Sequence, residues 1–237
     1  MRLLALDTAT AICRAAVLAD GQVLGEYTGD RARSQAEQLP GALVGLLHAT
    51  GLTLQDIDAY AVVAGPGSFT GLRIGIATIQ GLALVTTRPV VAVSTLEILG
   101  HLASENEPEG TVVAAWMDAR RGEVFTAVYR VERNPLFAPG RLTLVDPPAV
   151  GPPDVTLARW AADGMTPRVL AGDPVPVGAE WAPAVRQKPA SSLAVAAGRL
   201  AVHRVAAGAT CKPGDLAPLY VRRPDAVIAR EKSGASR

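Results

Sequence analysis

Between residues 65 and 85 the chain reads GPGSFTGLRIGIATIQGLALV, a glycine-rich turn running into a helix with hardly a polar residue. An ordinary surface helix carries one apolar stripe and one charged face. From 71 to 85 the only charged residue here is Arg73, and the only other long polar one is Gln80. Both faces therefore want cover. Gly71 and Gly75 lie one turn apart and Thr78 continues the strip, so another helix backbone can approach closely on that side. Two arrangements satisfy such a helix: a central place inside its own domain, or one face on the domain and the other on a partner protein.

A chain of 237 residues has room for one or two domains and a proper core. With 49% hydrophobic and 19% charged residues and a net charge of +1, it lacks the basic excess of a free-standing nucleic-acid binder, so any role on RNA is local or delegated. Cys13 and Cys211 stand far apart without CxxC spacing, which suggests neither a disulfide framework nor a zinc site. The apolar run 3–6 is cut short by Asp7, too soon for a signal peptide. No stretch reads as long and clean enough for a bilayer, so the expected compartment is the cytoplasm, with no membrane partner.

In chain order, residues 2–6 read as a buried strand ending at Asp7, followed by the small turn Thr8, Ala9, Thr10. Strands at 13–18 and 22–27 follow, joined by an Asp20-Gly21 hairpin signal. A carboxylate at a strand end beside a tight Thr/Ala loop is how several phosphotransferase folds face metal-bound phosphate. The same residue also serves as a turn former or cap. Ser34 and Glu37 fit a capping box, and Leu39, Leu43, Leu46 and Leu47 follow at helical spacing, with Pro40 in the early turns as a source of a kink. A helical turn at 53–57 and a strand at 59–64 lead to Gly65. A strand at 90–93 meets a second capping box, Ser94 and Glu97, opening a helix to about Ala103. The polar stretch 104–110 is the expected lobe boundary.

Beyond it the pattern recurs: an apolar strand 111–117 ending at Asp118, a turn 119–122 and a return strand 123–131. A duplicated lobe is the economical explanation. Arg120 and Arg121 in that turn read either as an anion site between lobes or as a solvated turn. Residues 134–189 are rich in proline and glycine and read as a loosely elaborated second lobe, with a helix near 154–162 and a strand near 168–171. A helix at 191–207 and an extended segment at 217–223 precede a polar tail.

The glycine loop at 65–71 matches no catalytic motif. It lacks the lysine of a Walker A loop, misses the Rossmann spacing by one, and has Pro66 and Thr70 where a nucleophile elbow around Ser68 needs glycines. What remains is a set of backbone N–H groups at a helix start, generically able to hold an anion. His48, His101 and His203 are widely separated, read as surface or helix-end residues, and supply no metal set.

LALDTAT (4–10), VVAGPGSFTGLRIG (62–75), VSTLE (93–97), MDARRGEVF (117–125) and PLYVRR (218–223) together resemble the TsaB family of tRNA threonylcarbamoyladenosine biosynthesis proteins, in the family's order along nearly the whole chain. The resemblance implies an α/β fold of two ribonuclease-H-like (actin-like ATPase) lobes, with mixed sheets flanked by helices. The expected division is 1–105 and 106–237, with the final helix and tail packing back on the first lobe. It also implies a non-catalytic scaffold that activates its paralogue TsaD, the metal-bearing subunit that transfers threonylcarbamoyl to an adenosine beside the anticodon of tRNAs reading codons that begin with A. The small ATPase TsaE joins the complex, ATP and metal belong to the partner subunits, and tRNA is met only indirectly. Without TsaD, a homodimer on the same patch is expected. The partner interface implied comprises Gly71, Arg73, Ile74, Gly75 and Thr78 with Leu39 and Leu43. Asp7, Thr8, Thr10 and Asp118 form the candidate vestigial nucleotide or phosphate site, and no catalytic or metal residue is assigned. TsaD-like proteins carry paired histidines on an early helix, whereas 31–39 holds none, and Arg33 replaces a histidine that many TsaB-like sequences have. The alternative functions are an independent ATPase using Asp7 and, last, a peptidase.

Overall fold

The computed structural model describes residues 1–174, 186–189 and 192–221. Ser191 at the start of the expected last helix, residues 175–185 of the Pro/Gly-rich stretch, and Arg222, Arg223 and the tail lie outside the described residues.

Among the described residues, two five-stranded sheets form from one repeated plan. β1 (Arg2–Asp7) pairs antiparallel with β2 (Arg14–Ala19), and β2 with β3 (Gln22–Thr28). On the other side of β1 lie β4 (Ala59–Gly65) and then β5 (Val90–Ser94), both parallel. β6 (Val112–Arg120), β7 (Glu123–Val131), β8 (Leu142–Gly151), β9 (Val169–Gly172) and β10 (Arg186–Pro189) repeat those neighbours and those directions. The orders β3-β2-β1-β4-β5 and β8-β7-β6-β9-β10 are the same. Three antiparallel strands followed by two parallel ones is the ribonuclease-H-like plan, and its recurrence makes this a two-lobed α/β fold.

Five layers result. Because strand side chains alternate faces, Leu4 and Leu6 point to α1 (Gln35–Ala49) and α2 (Phe69–Thr86), while Leu3 and Ala5 point to a central layer. That layer holds α3 (Thr95–Ala103) and α5 (Leu193–Ala206), and beyond the second sheet α4 (Pro153–Ala162) covers Trp116 and Leu170. The central helices are exchanged. α3, from the first half, packs on β6, β7 and β9, whereas α5, from the chain's end, packs on β1, β2 and β4. Glycines permit both approaches: a Cβ on Gly100 would sit 2.7 Å from the Tyr129 ring, and one on Gly198 2.4 Å from Leu18. Arg204 of α5 donates to Ala92 O at 2.8 Å and to both carboxylate oxygens of Glu97 at 2.5 and 2.6 Å, tying the two helices together.

Two local expectations are corrected, and a third is refined. Ser34 caps α1 without a side-chain hydrogen bond. The turn before the helix is held instead by Gln38, whose Oε1 accepts from Tyr27 OH and Asp30 N–H and whose Nε2 donates to the carbonyls of Asp30 and Arg33. The Pro-rich region contains a ten-residue strand, β8, which tolerates Pro147 and Pro148 because it is a sheet edge. Of the two readings of His101, the helix-end one holds, since it lies in the last turn of α3, but it is buried and stacked on Phe137 with centroids 5.6 Å apart, and burial beside Arg141 pushes its pKa down to about 4.

Candidate functional site

The helix at Phe69–Thr86 packs one side only. Leu72, Gly75, Ile76, Ile79 and Ala83 are buried against the first sheet and the adjoining β1–β2 loop, while Leu84 and Val85 are 68% and 77% exposed. By length and hydropathy α2 would also cross a bilayer, contrary to the reading of the sequence alone, but that inner face belongs to its own domain. Beside it, α1 leaves Val44 70% exposed. The outer strips are floored by glycines, since a Cβ built on Gly41, Gly45 or Gly81 meets nothing within 4 Å. Arg73 and Ala77 are exposed on the same outer side, and Ile74 and Thr78 are half-buried.

This geometry divides the expected interface set. Arg73, Ile74 and Thr78 reach the surface. Gly71 and Gly75 do not, because what they admit belongs to their own chain: a Cβ would lie 2.0 Å from the backbone oxygen of Thr8 at Gly71 and 2.2 Å from the Thr8 side-chain Oγ1 at Gly75. Leu39 and Leu43 also point inward, into the core between α1 and the sheet. Val44, Gly45, Gly81, Leu84 and Val85 stand on the outer face instead. The signal for them was the second pair of small-residue strips, Gly41/Gly45 and Ala77/Gly81 at i, i+4, which periodicity alone cannot assign to inside or outside.

A cleft of about 910 Å³ opens between the β1–β2 loop, the start of α2, the β6–β7 turn and residues 219–221. Thr10 and Asp118 line it, together with Arg14, Arg31, Arg120 and Arg121. Asp7 does not line it. Its carboxylate is wholly buried, accepts from Ala9 N–H at 2.8 Å and Thr10 Oγ1 at 3.0 Å, and is pushed up to about 6 by burial against the lowering of those bonds. Thr8 is equally buried and faces Gly75. The structure therefore splits the four expected phosphate-site residues into two at the cleft and two beneath it. Asp118 accepts from the backbone N–H of Arg120 and pairs with its guanidinium at 3.3 Å. Arg120, Arg121 and Gly122 all have positive φ, 65°, 58° and 74°. That is an uncommon conformation for the two arginines, and it ends in a tight two-residue turn. Among the described residues no group of three or more His, Cys, Asp or Glu side chains converges.

At the cleft mouth Phe69 and Tyr220 stack with centroids 5.9 Å apart, and the Arg73 guanidinium lies 4.0 Å from the Phe69 centroid. The residues 213–221 that carry Tyr220 are strapped to α2 and β4: Gln80 Nε2 donates to Pro213 O and Leu216 O, and Leu219 N–H to Ala64 O. Reading the sequence for motifs passed over this pair, because the two aromatics are 151 positions apart.

Comparison with known proteins gives the arrangement a lineage. Residues 23–141 match the family model of TsaD, tRNA N6-adenosine threonylcarbamoyltransferase. The TsaB protein of Escherichia coli, a tRNA threonylcarbamoyladenosine biosynthesis protein, is 37% identical over 181 residues, covering 76% of this chain and 72% of that one. An uncharacterized protein of Mycobacterium tuberculosis is 34% identical over 226 residues, 94% of this chain and 92% of its own. Among solved structures, an uncharacterized Pseudomonas aeruginosa protein with similarity to peptidase YeaZ superposes with a TM-score of 0.72 at 34% identity, covering 93% of this chain and 99% of that one. With its two lobes, its motifs in order and relatives at this identity along most of its length, the chain belongs to the TsaB family of tRNA threonylcarbamoyladenosine biosynthesis proteins, paralogous to the TsaD transferases.

Proposed function

We propose that this chain is a non-catalytic, activating subunit of the cytoplasmic complex that installs threonylcarbamoyl on tRNA, and that it acts by binding TsaD through the outer face of α1 and α2. The observation that carries the reading is that face itself: Val44, Leu84 and Val85 are more than two-thirds exposed around a glycine floor that invites close helix approach. Transfer chemistry, its metal and the ATP consumed with TsaE belong to the partner subunits. An ATPase built on Asp7 finds no support in a carboxylate sealed under its own loop. Without TsaD, two copies meet on the same apolar face as a homodimer.

Light scattering on the chain alone and mixed with the TsaD of the same organism tests this. The expected result is a homodimer that converts to a one-to-one heterodimer. Gly81→Arg and Val85→Asp should abolish both assemblies while leaving circular dichroism unchanged, because neither position touches the core. Heterodimers that form undiminished with both variants would overturn the interface.

A further inference from the structure

The cleft mouth carries an aromatic feature that adjoins the partner face and shares Arg73 with it. Phe69 and Tyr220 are 43% and 42% exposed, yet they are stacked on each other rather than scattered, and Arg73 lies against the Phe69 ring. Behind them the cleft holds arginines from three places in the fold: Arg14 and Arg31 beside β2 and α1, and Arg120 and Arg121 at the β6–β7 turn. Its carboxylates, Asp118 and Asp173, accept backbone N–H bonds from Arg120 and Asp118 respectively, and Asp118 also pairs with the Arg120 guanidinium at 3.3 Å, which leaves the cleft's arginines outnumbering its carboxylates. In a chain of net charge +1 this is a local excess of positive charge next to an aromatic platform.

That pairing suits a particular ligand class. Exposed rings stack unpaired bases whatever their sequence, and spread guanidinium groups follow a phosphate backbone. An enclosed nucleotide pocket would instead bury its aromatic faces and gather its cations round one phosphate group. An apolar protein partner would gain little from the arginines.

We propose that Phe69, Tyr220 and the arginines of the cleft form a binding surface for single-stranded RNA, with unpaired bases stacked on Tyr220 and backbone phosphates running along Arg31 and Arg120. This rests on the reading of the chain as part of a tRNA-modifying complex and extends it: the chain touches the RNA directly and does not only support the subunit that does. Arg73 stands both on the outer side of α2 and against Phe69, so the RNA surface adjoins the proposed TsaD face.

Fluorescence anisotropy with a labelled, unmodified tRNA transcript and with a short labelled single strand tests it, on the chain alone and on its complex with TsaD. Tyr220→Ala should weaken binding about tenfold, the scale of one lost base stack, and Tyr220→Trp should restore it. Arg120→Gln should make the slope of log K against log salt shallower by about 0.7, the signature of one phosphate contact to a single strand. A purely structural arginine would leave that slope unchanged. Equal affinity and salt slope across these variants overturns the proposal. So does full competition by free AMP, which would mark a mononucleotide site, or a loss of TsaD binding in Tyr220→Ala with RNA affinity intact, which would mark a protein contact. If the heterodimer forms but neither it nor the chain alone responds to RNA, only this inference fails. If the chain alone binds RNA in the expected pattern and no heterodimer forms, the partner reading fails and this one stands.

Discussion

At the scale of single residues, glycine identity sorts by what a methyl group would strike. Gly71→Ala drives a Cβ into the Thr8 backbone oxygen and Gly75→Ala drives one into the wholly buried Thr8 side chain, neither of which has room to yield. Each should lower stability by about 1–3 kcal/mol in urea titrations, so weakened partner binding by such variants would report a damaged fold. Asp7 gives a second test. Its carboxyl lies at about 6 in the folded protein against 3.8 ordinarily, so the fold binds that proton more tightly than the unfolded chain does. The stability it contributes is full below about pH 4 and is lost as pH rises through about 6, roughly 3 kcal/mol in all. Asp7→Asn should match wild type near pH 4 and exceed it by about that amount above pH 6. The difference between the two proteins is the readout, because buried His101 works oppositely, losing stability as pH falls from 6.5 towards 4. The strand-end aspartate and its small loop were legible in the sequence. That the loop would close over the carboxylate was not, since the covering α2 glycines lie more than sixty positions away.

At the scale of elements, α2 shows why an apolar helix can be recognised before its environment is known. Its composition announced that both sides would need cover. Which strip of small residues faces the sheet depends on helix phase, and phase is set by the β4–α2 turn and by Ser68, whose Oγ accepts from Gly71 N–H at 3.2 Å. A Cβ on Gly81 would touch nothing of its own chain, so at concentrations that keep the chain monomeric Gly81→Ala should raise stability by about 0.5–1 kcal/mol, the reverse of Gly75→Ala. Equal effects of the two substitutions would contradict the assigned phase. Strand β8 was illegible for a different reason: Pro147 and Pro148 signal a break anywhere except at an edge, and edge position is a property of the sheet. The return strands β2 and β7, by contrast, follow from short local turns and were readable.

At the scale of the whole molecule, the exchanged helices decide how separable the two lobes are. A proposed division at 105/106 parts the sheets but leaves Leu3, Ala5 and Leu18 without α5, which supplies Leu193, Ala197 and Leu200 to the same core. A fragment of residues 1–105 should therefore stay largely unfolded by near-ultraviolet circular dichroism and regain structure only when residues 192–221 are added in trans. Glu97→Ala and Arg204→Ala, which break the clasp between α3 and α5, should each destabilise by about 1–2 kcal/mol and be markedly non-additive in the double variant. The repeated strand plan pointed to two lobes, and the family resemblance led to the expectation of the final helix on the first lobe, whereas the crossing of α3 to the second sheet did not show, because an amphipathic segment is uncommitted until a sheet claims it. The exchange also sets a timetable for synthesis. α3 ends at Ala103 and α5 begins at Leu193, so a ribosome adds about 90 residues in between, which takes roughly 5–20 s. Throughout that interval the nascent first sheet has one greasy face open to the cell, a window in which chaperones, proteases and neighbouring polysomes compete for it.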